Sequence, residues 1–372
     1  MSTLQLLALC WLTTLYPSSS DEVVLIADLN GDHAPEILTS GNQVDQRDTF
    51  SLLANRGDGT FASERPIAGG FGHKLEDVAD LNRDGIPDLL ASDYWGNGIA
   101  VYRGLGALQF SGGVPSGTAT HGGPSRVLDY DNDGVTDIVS FSFGSGNPVR
   151  VHRFRGRADG TFDPKTTIDT ARSIAASPSL RFHNGAPEIL AGDRSGHLGL
   201  FRFAAGGVSV STLDAGPGFD LNATFADVDG DGTADIVDTN DGGSDTNNPF
   251  EWIFVTLARP EGGFRERTQL ARPRKIAFPT ELRAADFDGD GRIDLVAGDF
   301  RGNRLYYYRG DGAGGFDEGV GIDAIGPVND VAVGDLDGDG RPDLVTANDD
   351  HSVSVIVNRG TCAPVRRRSV RH

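Results

Sequence analysis

Lysine is almost missing from this chain, with three residues in 372, at positions 74, 165 and 275. There is one methionine, and the two cysteines are Cys10 and Cys362. Two cysteines exclude a disulfide scaffold and a cysteine-rich zinc domain. Basic residues number 33 against 53 acidic ones, a formal charge of −20. The chain therefore lacks the basic surface that a nucleic-acid backbone demands. No apolar run reaches the roughly 18 residues that span a bilayer. No phosphate-cradling G-x-x-x-x-G-K-S/T loop and no nucleophile elbow occurs. After residue 20 no segment carries a 3.6-residue apolar period, which argues against a helical protein. Glycine, by contrast, is abundant at 51 residues, with 18 prolines. That composition suits short strands and turns. A hydrophobic content of 38% suffices for a packed interior.

One nine-residue pattern recurs, D-x-D/N-x-D-G-x-x-D. It reads DLNRDGIPD at 80–88, DYDNDGVTD at 129–137, DVDGDGTAD at 227–235, DFDGDGRID at 286–294 and DLDGDGRPD at 335–343. A weaker copy, DLNGDHAPE, lies at 28–36, and LRFHNGAPE at 180–188 keeps only the tail of the pattern. Successive starts are 47 to 59 residues apart. A repeat of this length predicts a propeller or solenoid rather than independent domains.

Each unit has one grammar. An apolar or alternating run enters the acidic loop, as in VVLIAD (23–28), and a second leaves it, as in DLVAG (294–298). A polar turn follows, then a third run such as RLYYYRG (304–310), a glycine turn such as GDGTF (57–61), and a weaker fourth run. Four short strands between turns make one antiparallel blade. The expected fold is therefore all-β, a seven-bladed propeller of four-stranded antiparallel blades with calcium-binding loops. It occupies residues 21–360 as a single domain and is followed by a basic tail at 361–372.

The acidic loop has the chemistry of a metal site. Carboxylates at positions 1, 3, 5 and 9 can converge on one cation, and glycine at position 6 permits the sharp turn. Position 7 offers its backbone carbonyl. An all-oxygen set of this number suits Ca²⁺ and not zinc. A solvated polar turn explains one such loop but not five intact copies at equivalent positions. An EF-hand is excluded, because position 12 is Ala91, Ser140, Asp238, Ala297 or Thr346 rather than glutamate, and the flanks are β-rich. Six calcium ions would bring the net charge from −20 to −8, since the loops hold 22 of the 53 acids. Much of the acidity then serves as ligand rather than as a field for a basic partner.

These loops at this spacing resemble FG-GAP (VCBS-type) repeats, a family that includes the seven-bladed propeller of integrin α-subunit heads and many exported bacterial proteins. The resemblance covers about 22–359 and implies calcium between the first and second strands of a blade. Matched residue by residue, it implies ion sites at Asp80, Asn82, Asp84, Ile86 and Asp88, and at Asp129, Asp131, Asp133, Val135 and Asp137. A third site would be Asp227, Asp229, Asp231, Thr233 and Asp235. The remaining two would be Asp286, Asp288, Asp290, Arg292 and Asp294, and Asp335, Asp337, Asp339, Arg341 and Asp343. Ile86, Val135, Thr233, Arg292 and Arg341 would contribute carbonyls. A sixth site at Asp28, Asn30, Asp32 and Glu36 departs from the pattern at His33 and Glu36. The 180–188 copy has Leu180, Phe182 and Asn184 in place of acids and is expected to be empty.

Residues 1–20 admit two readings. LQLLALCWLTTL (4–15) followed by small residues resembles a signal peptide, although no basic residue precedes it. Alternatively, the phenylalanine of the glycine turn lies 19 residues before motif position 1 in three units, and the same count back from Asp28 reaches Leu9. Residues 9–16 then fill the fourth-strand slot that the last unit lacks and close the ring, leaving no open edge.

Partner residues are sought on the face opposite the calcium loops, where His73, Tyr94, Trp95 and His121 cluster around the second unit. Aromatic rings beside polar groups suit sugar stacking or a protein hot spot, and equally suit caps on inter-blade cores. The resulting expectation is a calcium-stabilised, secreted, periplasmic or cell-surface binding or adhesion module for a glycan or a protein, without nucleic acid or membrane span. The alternatives are a polysaccharide-acting enzyme of lyase type, with His73, Lys74 or His121 near the chemistry, and a purely structural role. The absence of a dense catalytic constellation favours binding.

Overall fold

The computed structural model of the chain describes residues 9–18, 20, 22–41, 50–69, 73–93, 98–115, 124–142, 150–169, 179–183, 186–192, 197–204, 207–214, 222–240, 252–270, 279–324 and 326–361. Seven four-stranded antiparallel sheets form the seven blades of a β-propeller, with one small two-stranded ribbon at Gly104–Gly106 and Gln109–Phe110. Blade 1 runs Val23–Ala27, Glu36–Ser40, Phe50–Leu53 and Arg65–Ala68, from the ring axis outward. Blades 2 to 6 begin with the inner strands His73–Ala79, Ser125–Leu128, Ser179–His183, Ala223–Ala226 and Pro279–Ala285. Blade 7 begins with Val328–Gly334, which lies against the inner strand of blade 1 and joins the last blade to the first. Among the described residues no helix is long and apolar enough to cross a membrane.

The outer strand of blade 7 comes from the other end of the chain. Leu9–Pro17 runs antiparallel to Ser352–Thr361, with Tyr16 opposite Val353 and Trp11 opposite Asn358. The Trp11 ring meets Phe287 and Tyr307 edge-on, at 6.0 and 6.3 Å between centroids. Tyr16 packs on Phe61 of blade 1 at 5.9 Å, and its hydroxyl accepts the Phe61 N–H at 3.1 Å. Cys10 is engaged in a disulfide; the only other cysteine of the sequence, Cys362, lies outside the described residues.

The core sits between blades, because strands buried on both faces leave apolar side chains on each side. Ile37, Leu53, Val345, Val353 and Val355 fill the seam between blades 7 and 1. Leu38, Phe50, Leu52, Leu75 and Tyr102 fill the next one. The seam between blades 4 and 5 is the thinnest described, with Leu190, Leu198 and Ile236 as its buried residues.

Candidate metal centres

Acidic loops connect the first and second strands in every blade but the fourth. Their shape follows from the motif itself. In blade 6 the carboxylate of Asp286 accepts the N–H groups of Gly289, Asp290 and Gly291 at 2.8, 3.1 and 2.8 Å. Asp335 and Asp227 do the same in blades 7 and 5. Position 5 then accepts the N–H of position 7, as Asp290 does from Arg292 at 3.0 Å. The position-6 glycine adopts φ near +80° in every intact loop, such as Gly291 at +82° and Gly340 at +83°, which an L side chain adopts only at a cost. His33 takes that place in blade 1 at φ +67°.

Position 9 has a structural duty that the sequence pattern does not reveal. It is the first residue of the second strand and is fully buried in Asp88, Asp137, Asp235, Asp294 and Asp343. In blade 6, Asp294 Oδ2 accepts the Phe287 N–H at 3.1 Å and Oδ1 accepts the Gly310 N–H at 2.8 Å. The carboxylate thus ties the acidic loop to the glycine hairpin that follows the third strand. Asp137 with Gly156, Asp235 with Ala258 and Asp343 with Asn358 repeat the tie. Burial pushes Asp137, Asp294 and Asp343 up to about 6, against the backbone donors that lower them.

Acids converge in four loops. Ligand atoms of Asp129, Asp131 and Asp137 lie within 4.8 Å of one another, as do those of Asp227, Asp229 and Asp231, of Asp286, Asp288 and Asp290, and of Asp335, Asp337 and Asp339. In blades 1 and 2 asparagine occupies position 3, and the Asn30 and Asn82 amides donate to Asp32 and Asp84 at 2.9 Å. The donor set fits a hard cation, and one observation is specific to it. The Asp337 side chain is only 6% exposed, yet its Oδ1 is buried without a hydrogen-bond partner, and Asp131 Oδ1 is in the same condition. A buried carboxylate oxygen left unpaired is costly unless a ligand satisfies it.

Arginines lean over these loops. Arg155 and Arg309 come from an R-G step just after the third strand, and Arg359 from one near the end of its third strand. Arg155 Nε and a terminal nitrogen lie 2.8 and 2.7 Å from Asp131 and Asp133. Arg309 grips Asp288 and Asp290, and Arg359 lies 2.8 Å from Asp337. In blade 2 the equivalent Arg103 turns inward to the buried Asp88 at 2.6 Å. In blade 5 that place is taken by Leu257. Sequence reasoning missed these arginines, although VYRG, RFRG, YYRG and VNRG were visible as a recurring step.

Blade 4 replaces the acidic loop with arginine. Glu188, at position 9, is 2% exposed and is held by Arg181 at 2.6 Å and Arg202 at 2.5 Å. Arg181 also donates to the Ala234 carbonyl of blade 5 and lies over the Phe225 ring at 4.3 Å. Asn184, expected in an empty loop, lies outside the described residues.

Of the residues expected on the opposite face, Tyr94, Trp95 and His121 lie outside the described residues. His73 opens the inner strand of blade 2, with its Nδ1 2.5 Å from the buried Tyr102 hydroxyl.

A family model described as FG-GAP-like repeat matches residues 28–91, 80–140 and 286–346. Among solved structures the chain is similar to a lectin of Agrocybe aegerita described as recognising non-reducing terminal N-acetylglucosamine. The TM-score is 0.55, with 19% identity, covering 83% of this chain and 81% of that one. It is also similar to BBS1N, solved in complex with ARL6DN, with a TM-score of 0.60 and 12% identity, covering 93% of this chain and 96% of that one. At such identities the likeness is one of fold. A local match joins 69 residues, 18% of this chain, to small ribosomal subunit protein uS5 of Azorhizobium caulinodans at 41% identity. A second joins 96 residues, 26% of this chain, to uS5 of Rhodopseudomonas palustris at 31% identity. The chain spans 34% and 46% of the length of these two relatives.

Proposed function

Because this chain is an FG-GAP propeller, we propose that it is a calcium-stabilised, exported binding module for a glycan or a protein. The unpaired, buried Oδ1 of Asp337 carries the calcium part of the reading, together with acids converging in four loops. Residues at positions 1, 3 and 5 would hold the ion, with position 9 behind them and asparagine at position 3 in blades 1 and 2. A bound Ca²⁺ would supply charge neutralisation among carboxylates that otherwise repel. Blade 4 needs no ion, since Arg181 and Arg202 already neutralise Glu188.

Arg155, Arg309 and Arg359 act in this reading as internal competitors. Each guanidinium satisfies loop carboxylates when no ion is bound and is displaced outward when one arrives. Blade 5, with Leu257 in place of that arginine, has no such competitor and binds calcium most tightly.

The binding part of the reading draws support from the fold, which is shared with a lectin and with a propeller solved in a protein complex. The ligand face is taken to be the one opposite the acidic loops, around Tyr94, Trp95 and His121. A glycan array probed with and without calcium tests this. Calcium-dependent binding that Trp95→Ala weakens by about 1–3 kcal/mol without unfolding supports it. Normal ligand binding by that variant moves the site elsewhere.

A further inference from the structure

The loop face carries a second feature, at the thin seam between blades 4 and 5. A cavity of about 380 Å³ opens there, lined by Arg181, Arg202, Arg259, Thr233 and Phe264. None of its described lining residues is acidic. Three arginines line one cavity of a chain with net charge −20.

Their partners do not balance them. Glu188 serves Arg181 and Arg202 together. Arg181 is further occupied by the Ala234 carbonyl, and Arg202 by the Ser211 hydroxyl at 3.2 Å. Arg259 is exposed, and among the described residues its guanidinium has no hydrogen bond or ion pair. Three arginines of the wall thus share one directly paired carboxylate, Glu188, while Asp231 and Asp235 lie behind the wall, accepting the Thr233 and Ala258 N–H groups at 2.8 and 2.7 Å. Replacement of a missing cation in blade 4 accounts for Arg181 and for part of Arg202. It does not account for Arg259, which belongs to the glycine hairpin of blade 5 (Ala258 pairs with Phe264).

We propose that this cavity is a binding site for a small oxyanion-bearing ligand, of the size and chemistry of an acidic monosaccharide. Ligand pockets start at about 300 Å³, so the volume suits one sugar ring rather than an oligosaccharide. Guanidinium forks match carboxylate and sulfate oxygens in geometry as well as charge. Phe264, half-buried on the seam core, offers an apolar wall for the CH face of a ring. Gly262 and Gly263 carry no side chains to fill the space. The site is separate from the face opposite the acidic loops and does not depend on a ligand there.

Titration calorimetry on the full chain in calcium buffer tests the proposal, with sodium glucuronate, sodium sulfate and neutral glucose as probes at matched ionic strength. Saturable binding of glucuronate or sulfate is expected, and none of glucose. Tighter glucuronate than sulfate identifies an acidic sugar as the source of the oxyanion; equal affinities identify a bare oxyanion site. Arg259→Gln is expected to weaken binding by roughly tenfold or more while leaving the melting temperature unchanged, because the side chain is exposed. Arg157→Gln, which removes the same charge from blade 3, is expected to bind normally. Failure of both anions to bind above a sodium chloride control overturns the site. Undiminished affinity in Arg259→Gln overturns it as well.

Discussion

Arg309 holds both Asp288 and Asp290, its Nε 2.5 Å from one carboxylate and a terminal nitrogen 2.8 Å from the other. An arginine that follows the third strand thus occupies the same carboxylates that the proposed ion needs. Arg309 is 41% exposed over less exposed carboxylates, and pairs open to solvent on one side are individually weak. Their effect is on competition with metal rather than on the fold.

Arg309→Ala is therefore expected to raise calcium affinity at the blade 6 loop by roughly two- to fivefold, in keeping with loss of a surface-pair competitor. The metal-free variant is expected to melt slightly below the parent. Calorimetric calcium titration checks this. Unchanged or weaker affinity in Arg309→Ala contradicts the displacement account.

The loops are unequal, and metal content should show it. Elemental analysis is expected to find five or six calcium ions per chain. Asp286→Ala is expected to remove one of them, and Glu188→Gln none. A count of seven contradicts the replacement of metal by arginine in blade 4.

Glu188 is shared by two guanidiniums in a largely buried site. Glu188→Gln leaves them facing each other, and loss of one partner from a buried ion pair costs about 3–5 kcal/mol. Arg202 is 40% exposed, which places the expected cost at the low end, about 3 kcal/mol. Denaturant unfolding at saturating calcium measures it. A destabilisation that excess calcium reverses would show that an ion, not arginine, holds this blade.

Ring closure rests on the strand Leu9–Pro17. Deleting it exposes the edge of Ser352–Thr361 and uncovers Phe287 and Tyr307 beneath Trp11. Aggregation or open-edge pairing is the expected result. The milder Trp11→Ala is expected to cost up to about 3 kcal/mol. A monomeric deletion variant with the parental melting temperature sinks this role for the strand.

Glu76, on the inner strand of blade 2, is buried, which pushes its carboxyl up. Lys74 and Arg126 pull it down, as do the Ser92 hydroxyl at 2.6 Å and the Ser125 N–H at 3.1 Å. A raised folded value means that the folded chain holds this proton longer than the unfolded one. Its contribution is present in full below the ordinary value of 4.5 and is lost as pH rises above it. The isosteric Glu76→Gln removes that loss. Relative to the parent, the variant is expected to be more stable at pH 8 than at pH 4.5. Thermal melts of both proteins at the two pH values decide it, and a difference that does not change with pH refutes it.

Much of the architecture was legible because the acidic motif is positional. Asp at 1 and Gly at 6 are demanded by backbone N–H groups and by positive φ, as Asp286 and Gly291 show. The motif therefore marks the turn between the first two strands of every blade but the fourth. The 19-residue register likewise points to residues 9–16, where Leu9–Pro17 now lies beside Ser352–Thr361. The site was less legible. Asp294 reads as one more ligand, and only the fold shows it fastening the Gly310 hairpin. Arg309 reads as a turn residue, since nothing local says how far a flexible side chain reaches. Arg181 and Arg202 stand 21 positions apart, so their meeting on Glu188 is a property of strand pairing.

The central claim is that calcium stabilises this propeller, and a thermal melt with and without excess chelator tests it most directly. Extracellular calcium modules bind at about 10⁻⁴–10⁻³ M, and an ion at a hundredfold excess over its Kd adds about 2.7 kcal/mol per site when the unfolded chain does not bind it. Several occupied loops then predict a melting temperature lower by many degrees in chelator, restored by added calcium. Superimposable melting curves in calcium and in chelator would contradict the account.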